Sequence, residues 1–146
     1  MEYKAYYLSH EGDFRSHISE EEIKAAFESR QGTLWVDICD TTDEQGKFLT
    51  RNFGFHPLAI EDCVSHLIHN PKIDDFTNHL FIIVHGINHE AESDIIETTE
   101  LAIFLGPHFV IRNHSVPLYS IDSIVKLVQA DDRPMKRGAD FLAYTI

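Results

Sequence analysis

The fold is decided by one stretch, which opens Phe55-His56-Pro57-Leu58-Ala59-Ile60-Glu61-Asp62 and closes Leu80-Phe81-Ile82-Ile83-Val84-His85. Pro57 favours a helix start, since proline suits the first helical position, where a backbone N–H has no partner within the helix. Two adjacent carboxylates, Glu61 and Asp62, follow about a turn into that helix. The run from Leu80 to Val84 is apolar at consecutive positions, which is typical of a strand buried on both faces. The stretch therefore predicts a helix that carries paired acids, followed by a central strand.

The flanking sequence predicts further strands and helices around this centre. A capping box at Ser19 and Glu22 begins one helix, and the segment from Leu34 to Ile38 is an apolar strand. A hairpin is predicted where Ile95–Leu105 and Phe109–His114 flank a Gly-Pro-His turn. Because a strand that is buried on both faces needs helices on both sides, we expect an α/β fold. Its form is a three-layer αβα sandwich with a central mixed parallel and antiparallel sheet.

Length and composition limit the classes of function. The 146 residues suit a single domain, which we place at residues 1–146. The net charge of −12 argues against nucleic acid or an anionic membrane surface as a partner. The longest apolar runs have five residues, far short of the roughly 20 that cross a bilayer, so we expect no direct membrane insertion by this chain. Cys39 and Cys63 lack Cys-x-x-Cys spacing and are interpreted as reduced intracellular thiols.

Several motifs of the central stretch resemble the soluble domain of CorA-type magnesium and divalent-cation transporters. They are Phe55-His56-Pro57-Leu58, Glu61-Asp62, Pro71-Lys72 and the Leu80–Val84 strand. Downstream, Glu100–Gly106 with Phe109–Ile111 resembles the family's next hairpin, and Asp140–Leu142 resembles the start of its following long helix. The chain departs from the family at Asn70, where Arg is common.

The resemblance implies a function and a set of partners. It implies the N-terminal cytoplasmic domain of a cell (inner) membrane protein that transports magnesium and cobalt, with the membrane-spanning part outside this chain. Glu61 and Asp62 are then half of an inter-subunit regulatory Mg²⁺ site, which an acidic residue of the neighbouring subunit completes. The implied partners are four further copies in a pentamer and the protein's own stalk and membrane helices. This domain senses Mg²⁺ and is not an enzyme, and in this chain alone we expect the ion to bind weakly.

Three alternatives stay open from the residues themselves. Glu61 and Asp62 also fit a solvated acidic helix face near the positive end of the helix dipole. If the helix continues past Ser65, then Asp62, His66 and His69 share one face and offer zinc ligands, which favours a zinc-transporting relative. A surface histidine pair is more often without function, so the sequence predicts no zinc site there.

The third alternative is a small cytosolic αβα enzyme. Asp37, next to Cys39, is the candidate acid of such an enzyme, but the sequence offers it no evident base or nucleophile. We therefore interpret Asp37 as a turn residue at the end of a strand. No Gly-rich phosphate loop or Gly-x-Ser-x-Gly motif is present in the sequence.

Overall fold

The structure is a computed structural model that describes residues 1–39, 42–65, 67–89, 96–117 and 119–146. Its strands are β1 (Glu2–Leu8), β2 (Phe14–Ser16), β3 (Thr33–Cys39), β4 (Lys72–Asp75), β5 (Leu80–His89), β6 (Ile96–Leu105) and β7 (Phe109–His114). Its helices are α1 (Glu20–Ser29), α2 (Asp43–Phe53), α3 (Pro57–Val64), α4 (Tyr119–Ala130), α5 (Arg133–Lys136) and α6 (Ala139–Thr145).

Within the described residues, the strands form one sheet in the order β2-β1-β3-β7-β6-β5-β4. Parallel pairing joins β3 to β7 at its centre, and the other neighbouring strands pair antiparallel. The sheet is therefore mixed, as the sequence predicts.

Helices α1, α2 and α3 cover one face of the sheet. The capping box holds the start of α1, because the Ser19 hydroxyl accepts the Glu22 N–H while the Glu22 carboxylate accepts the Ser19 N–H. Helix α1 buries Ile23 and Ala26 against this face, where Phe48 of α2 and Phe104 of β6 belong to the same core. This face therefore carries a core built by the first three helices.

Helices α4, α5 and α6 build a second core on the opposite face. Trp35 of β3 is fully buried there, together with Val128 of α4, Met135 of α5 and Leu142 of α6. Side chains of one strand alternate between the two faces, so neighbouring residues of β3 contribute to different cores. The three-layer αβα sandwich is confirmed.

The prediction that the Leu80–Val84 strand is buried on both faces is wrong in part. Strand β5 is an interior strand, paired to β4 and β6, and Phe81 and Ile83 are buried under the first three helices. On the other face, Ile82 is half-buried and Val84 is 37% exposed. The reason is that α6 packs over β3, β6 and β7 and leaves β5 less covered. Strands β3 and β7 are buried on both faces along nearly their whole length, and so is β6 from Leu101 to Phe104.

Helix α3 does not continue past Ser65, and that continuation is the condition for a shared histidine face. It ends at Val64, and Ser65 has extended backbone with φ −65° and ψ 144°. Leu67 and Ile68, which continue the apolar spacing of the helix, are 74% and 83% exposed. Tertiary hydrogen bonds with Glu100 and His85 hold the backbone of His69 in a non-helical path, so local periodicity does not decide its structure.

Candidate functional site

Helix α3 places the paired acids at the surface. Pro57 occupies its first turn, and the Nδ1 atom of His56 accepts the backbone N–H of Leu58 at 3.2 Å, so the helix has a defined start. Glu61 is exposed, whereas the Asp62 side chain is 29% exposed and faces the sheet. Adjacent residues of a helix point about 100° apart, so the two carboxylates diverge.

Lys72 of β4 is the cation that Asp62 faces. Its Nζ atom lies 2.6 Å from Asp62 Oδ2 and 2.7 Å from Asp74 Oδ2, so one ammonium bridges two carboxylates. The hydrogen bond to Asp62, followed by that to Asp74, raises the pKa of Lys72 above the usual lysine value. Lys72 therefore stays charged and occupies the position of a cation bound to Asp62.

His69 joins the same group through a glutamate of β6. Its backbone N–H donates to Glu100 Oε2 at 2.6 Å, and its ring Nδ1 lies 3.1 Å from Glu100 Oε1. The ring Nε2 lies 3.6 Å from Asp62 Oδ1. The His69 carbonyl accepts a hydrogen bond from the His85 ring at 2.7 Å, which ties this segment to β5. We call Asp62, His69, Lys72, Asp74 and Glu100 the Lys72 cluster.

The histidine face that the sequence offers for zinc does not form along a helix. Since α3 ends at Val64, His69 approaches Asp62 through the following segment, and His66 lies outside the described residues. Among the residues that the structure describes, no group of three or more His, Cys, Asp or Glu side chains is arranged to hold a metal ion.

The donor set suits a hard, hydrated cation. Mg²⁺ prefers oxygen ligands and often keeps most of its waters while binding one or two carboxylates. Glu61 offers an exposed carboxylate, and Asp62 offers a second one whose oxygens already face Lys72 and His69. The two carboxylates are oxygen donors of the kind that Mg²⁺ accepts, but they diverge, and Lys72 is a competing charge beside Asp62.

A second polar network lies inside the sheet, and the sequence interpretation of Asp37 is wrong. Asp37 lies within β3, 5% exposed, and is not a turn residue. Arg112 of β7 donates from Nε to its Oδ1 at 2.9 Å, and His114 Nε2 lies 3.2 Å from its Oδ2. Parallel pairing of β3 with β7 sets Asp37 opposite Arg112.

The environment of Asp37 decides its charge. Burial alone would raise the pKa of Asp37, but the hydrogen bond from His114 and the charge of Arg112 outweigh burial and hold that pKa below its usual value. The adjoining cavity has a volume of about 90 Å³, well below the roughly 300 Å³ of a small ligand pocket. Arg112 also donates to the Ile146 carbonyl at 3.0 Å, so the network links the sheet to the end of α6.

The charged partners of Asp62 and of Asp37 were not predicted from the sequence, although the sequence contains two signals for them. Lys72 and Asp74 lie two residues apart on a strand, so they share a face of the sheet. Glu100 and Arg112 are charged residues that directly adjoin the apolar runs of their strands, Leu101–Leu105 and Phe109–Ile111. A charge in such a strand indicates a buried partner, but the partner's identity depends on strand order.

Among the described residues, no helix has both the length and the apolar character needed to span a membrane.

Comparison with known proteins identifies the family. The sequence model described as "CorA-like Mg2+ transporter protein" matches residues 30–145. The chain is 34% identical over 112 residues to the Bacillus subtilis (strain 168) protein named "Putative metal ion transporter YfjQ", covering 77% of this chain and 34% of that protein. It is 24% identical over 139 residues to the magnesium transporter ALR1 of Saccharomyces cerevisiae, covering 94% of this chain and 16% of that protein. The chain thus spans about a third or less of these relatives.

Solved structures share the fold. Full-length CmaX has a TM-score of 0.77 at 19% identity, over 97% of this chain and 42% of that one. The soluble domain of CorA from Methanocaldococcus jannaschii has a TM-score of 0.68 at 20% identity, over 97% and 53%. The ZntB cytoplasmic domain from Vibrio parahaemolyticus has a TM-score of 0.65 at 12% identity, over 89% and 51%. With the family model matching most of the sequence, this chain belongs to the CorA-like Mg²⁺ transporter protein family.

Proposed function

We propose that this chain is the cytoplasmic regulatory domain of a divalent-cation transporter in the cell (inner) membrane, and that it senses Mg²⁺. The observation that carries the proposal is the family match over residues 30–145. The carboxylates of Glu61 and Asp62, which sit at the surface on α3, support it as oxygen donors for the ion. In this proposal the domain performs no catalysis.

The whole protein is proposed to be longer than this chain. The two relatives named above are more than twice its length, and their names describe them as metal ion or magnesium transporters. We infer a membrane-spanning part, joined through a stalk, and a homo-pentamer in which each copy of this domain faces a neighbour. Magnesium is the proposed cargo, with cobalt as a second ion.

The proposed sensing step is a change in population between two states. Mg²⁺ held between Glu61 or Asp62 and an acid of the neighbouring subunit offsets the repulsion between their charges and stabilises the closed assembly. When the ion leaves, the like charges repel and the open state gains population. An ion can shift this equilibrium only by its difference in affinity for the two states.

Limited proteolysis of the whole protein tests this proposal. Wild type should be cleaved more slowly with Mg²⁺ than without it, because the ion closes the subunit interfaces. Asp62→Ala should lose most of that protection, while Asp13→Ala, which removes an exposed acid next to β2, should keep it. Equal Mg²⁺ protection of wild type and Asp62→Ala would show that Asp62 is a solvated acid without a sensing role.

Zinc is the second candidate ion, and one contact favours it. His69 Nε2 lies 3.6 Å from Asp62 Oδ1, so a nitrogen and an oxygen donor face each other. The same proteolysis assay with Zn²⁺ in place of Mg²⁺ separates the candidates. Protection by micromolar Zn²⁺ that is lost in His69→Ala would favour a zinc transporter, and protection by Mg²⁺ alone would favour the magnesium sensor.

A further inference from the structure

Lys72 holds a central position between two acids of different elements. Its ammonium contacts Asp62 of α3 at 2.6 Å and Asp74 of β4 at 2.7 Å. The three side chains are 34%, 29% and 42% exposed respectively, so water reaches them but does not surround them. Both contacts are at the short end of charge-assisted hydrogen bonds.

Neighbouring residues hold the Lys72 ammonium and the Asp62 carboxylate in place. Lys72 pairs with Ile83 in the β4–β5 ladder, and its Nζ lies 5.6 Å from the centre of the Phe81 ring. On the other side, His69 lies between Asp62 and Glu100, at 3.6 Å and 3.1 Å from their oxygens. Lys72 therefore meets Asp62 in a defined geometry, unlike a mobile lysine on an open surface.

A divalent ion that binds Asp62 has to share the carboxylate with the Lys72 ammonium or displace that ammonium. Magnesium binds carboxylate oxygen at about 2.0–2.1 Å, so an ion on Oδ2 would lie within the space that the Lys72 ammonium fills. Two cations cannot occupy one position, and a cation on Oδ1 would still lie within a few ångströms of the ammonium. Lys72 thus opposes ion binding both by contact and by charge.

We propose that Lys72 is a tethered competitor of the divalent cation: its ammonium neutralises Asp62 when the ion is absent and must leave Asp62 when the ion binds. The inference rests on the proposed function, in which Asp62 is an ion ligand. In this inference the Lys72 ammonium raises the Mg²⁺ concentration at which the domain responds. Asp74 gives the displaced ammonium a second partner, which lowers the cost of leaving Asp62.

Substitution of Lys72 and substitution of Asp74 should change the affinity of Asp62 for Mg²⁺ in opposite directions. Lys72→Met removes the competitor and leaves Asp62 without a bound cation, so Mg²⁺ should bind about three to ten times more tightly. Asp74→Asn leaves Lys72 with Asp62 as its remaining carboxylate, so Mg²⁺ should bind more weakly. Lys24→Met removes an exposed charge of α1 and serves as the matched control, with a change of less than about twofold.

The experiment is a Mg²⁺ titration of the 146-residue chain, followed by NMR shifts of the α3 amides at constant ionic strength. In wild type the Lys72 ammonium signal should move along the same binding curve as those amides, which a merely structural lysine would not do. Thermal melts of each variant show that it is folded. Unchanged or weaker Mg²⁺ binding by folded Lys72→Met would overturn the proposal.

Asp62→Asn separates this inference from the proposed function. If Asp62→Asn does not weaken Mg²⁺ binding, Asp62 is not a ligand, and both the competitor and the proposed role of Asp62 in sensing fail. If Asp62→Asn weakens binding while Lys72→Met does not tighten it, the ion site stands and the competitor is rejected. If neither wild type nor Lys72→Met binds Mg²⁺ over the titrated range, the competitor is rejected for this chain, and proteolysis of the whole protein alone decides the proposed function.

Discussion

At the scale of single residues, a buried polar network lies inside the sheet. Asp37, Arg112 and His114 are all at most 5% exposed, and each meets a partner of opposite charge or a hydrogen-bond acceptor. Removing one member of a buried pair leaves the other without compensation, which costs more than the pair contributes. The stability of this network therefore depends on the charge of Asp37.

Asp37→Asn should lower the free energy of unfolding by about 3 kcal/mol at pH 7, because buried Arg112 loses its counterion. The pKa of Asp37 is depressed in the folded chain, so its contribution is present above the unfolded value of about 3.9 and is lost as pH falls through the folded value. The gap between wild type and variant should shrink below about pH 4.

Urea unfolding from pH 7 to pH 3 measures that gap. The exposed variant Asp13→Asn is the control and should stay within about 0.5 kcal/mol of wild type. A gap that does not change with pH would mean that the Asp37 charge does not stabilise the fold.

At the scale of secondary-structure elements, the connection between α1 and β3 depends on one glycine. Gly32 has φ +74°, and a Cβ atom there would lie 2.1 Å from the backbone oxygen of Leu8 in β1. That oxygen belongs to the sheet and cannot rotate away. The close approach therefore lets the chain enter β3 directly beside β1.

Gly32→Ala should cost about 1 to 3 kcal/mol more than Gly12→Ala, and thermal or urea unfolding of both variants measures the difference. Gly12 is the matched control, since it has φ +95° and no atom within 4 Å of the position that an added methyl group would take. Both variants share the cost of a left-handed alanine, about 1 kcal/mol, so the excess reports the clash alone. Equal costs would show that β1 shifts freely to make room.

Elements were largely predictable from sequence because their signals are local. Residues close together in the chain decide three of these features. They are the capping box of α1, the start of α3 at Pro57 and the hairpin of β6 and β7. The end of α3 was not predictable, since Glu100 and His85 hold the following segment from distant strands. Local periodicity carries no information about such contacts.

The candidate site was predictable only where its signals are local in the sequence. Glu61 and Asp62 stand out as adjacent acids on a helix, and their role as Mg²⁺ ligands stays a prediction. Lys72, ten residues further on, meets Asp62 because β4 lies at the sheet edge beside α3. That neighbourhood follows from strand order, which no single segment of sequence encodes.

At the scale of the whole molecule, the two faces of the sheet are covered unequally. Phe81 and Ile83 of β5 are buried under α1–α3, whereas Val84 of the same strand is 37% exposed on the other face. The unequal cover means that neighbouring residues of one strand differ in their contribution to stability.

Ile83→Ala should lower the free energy of unfolding by about 2–5 kcal/mol, as is usual for a large residue removed from a packed core. Val84→Ala should cost about 1 kcal/mol or less, because its side chain is already partly in water. Urea unfolding of the two variants checks the difference. Similar costs would mean that a layer of α4–α6 covers β5 as fully as α1–α3 do.

The parallel pair at the centre of the sheet also has a consequence for how the chain folds as it is made. Asp37 of β3 and Arg112 of β7 are 75 residues apart in sequence, and Ile111 of β7 completes the core under α1–α3. A nascent chain that has not yet reached β7 cannot close that core, and contacts between distant residues form slowly. The apolar faces of α1 and α2 therefore stay accessible until β7 has left the ribosome, and we expect chaperones to bind the growing chain up to that point.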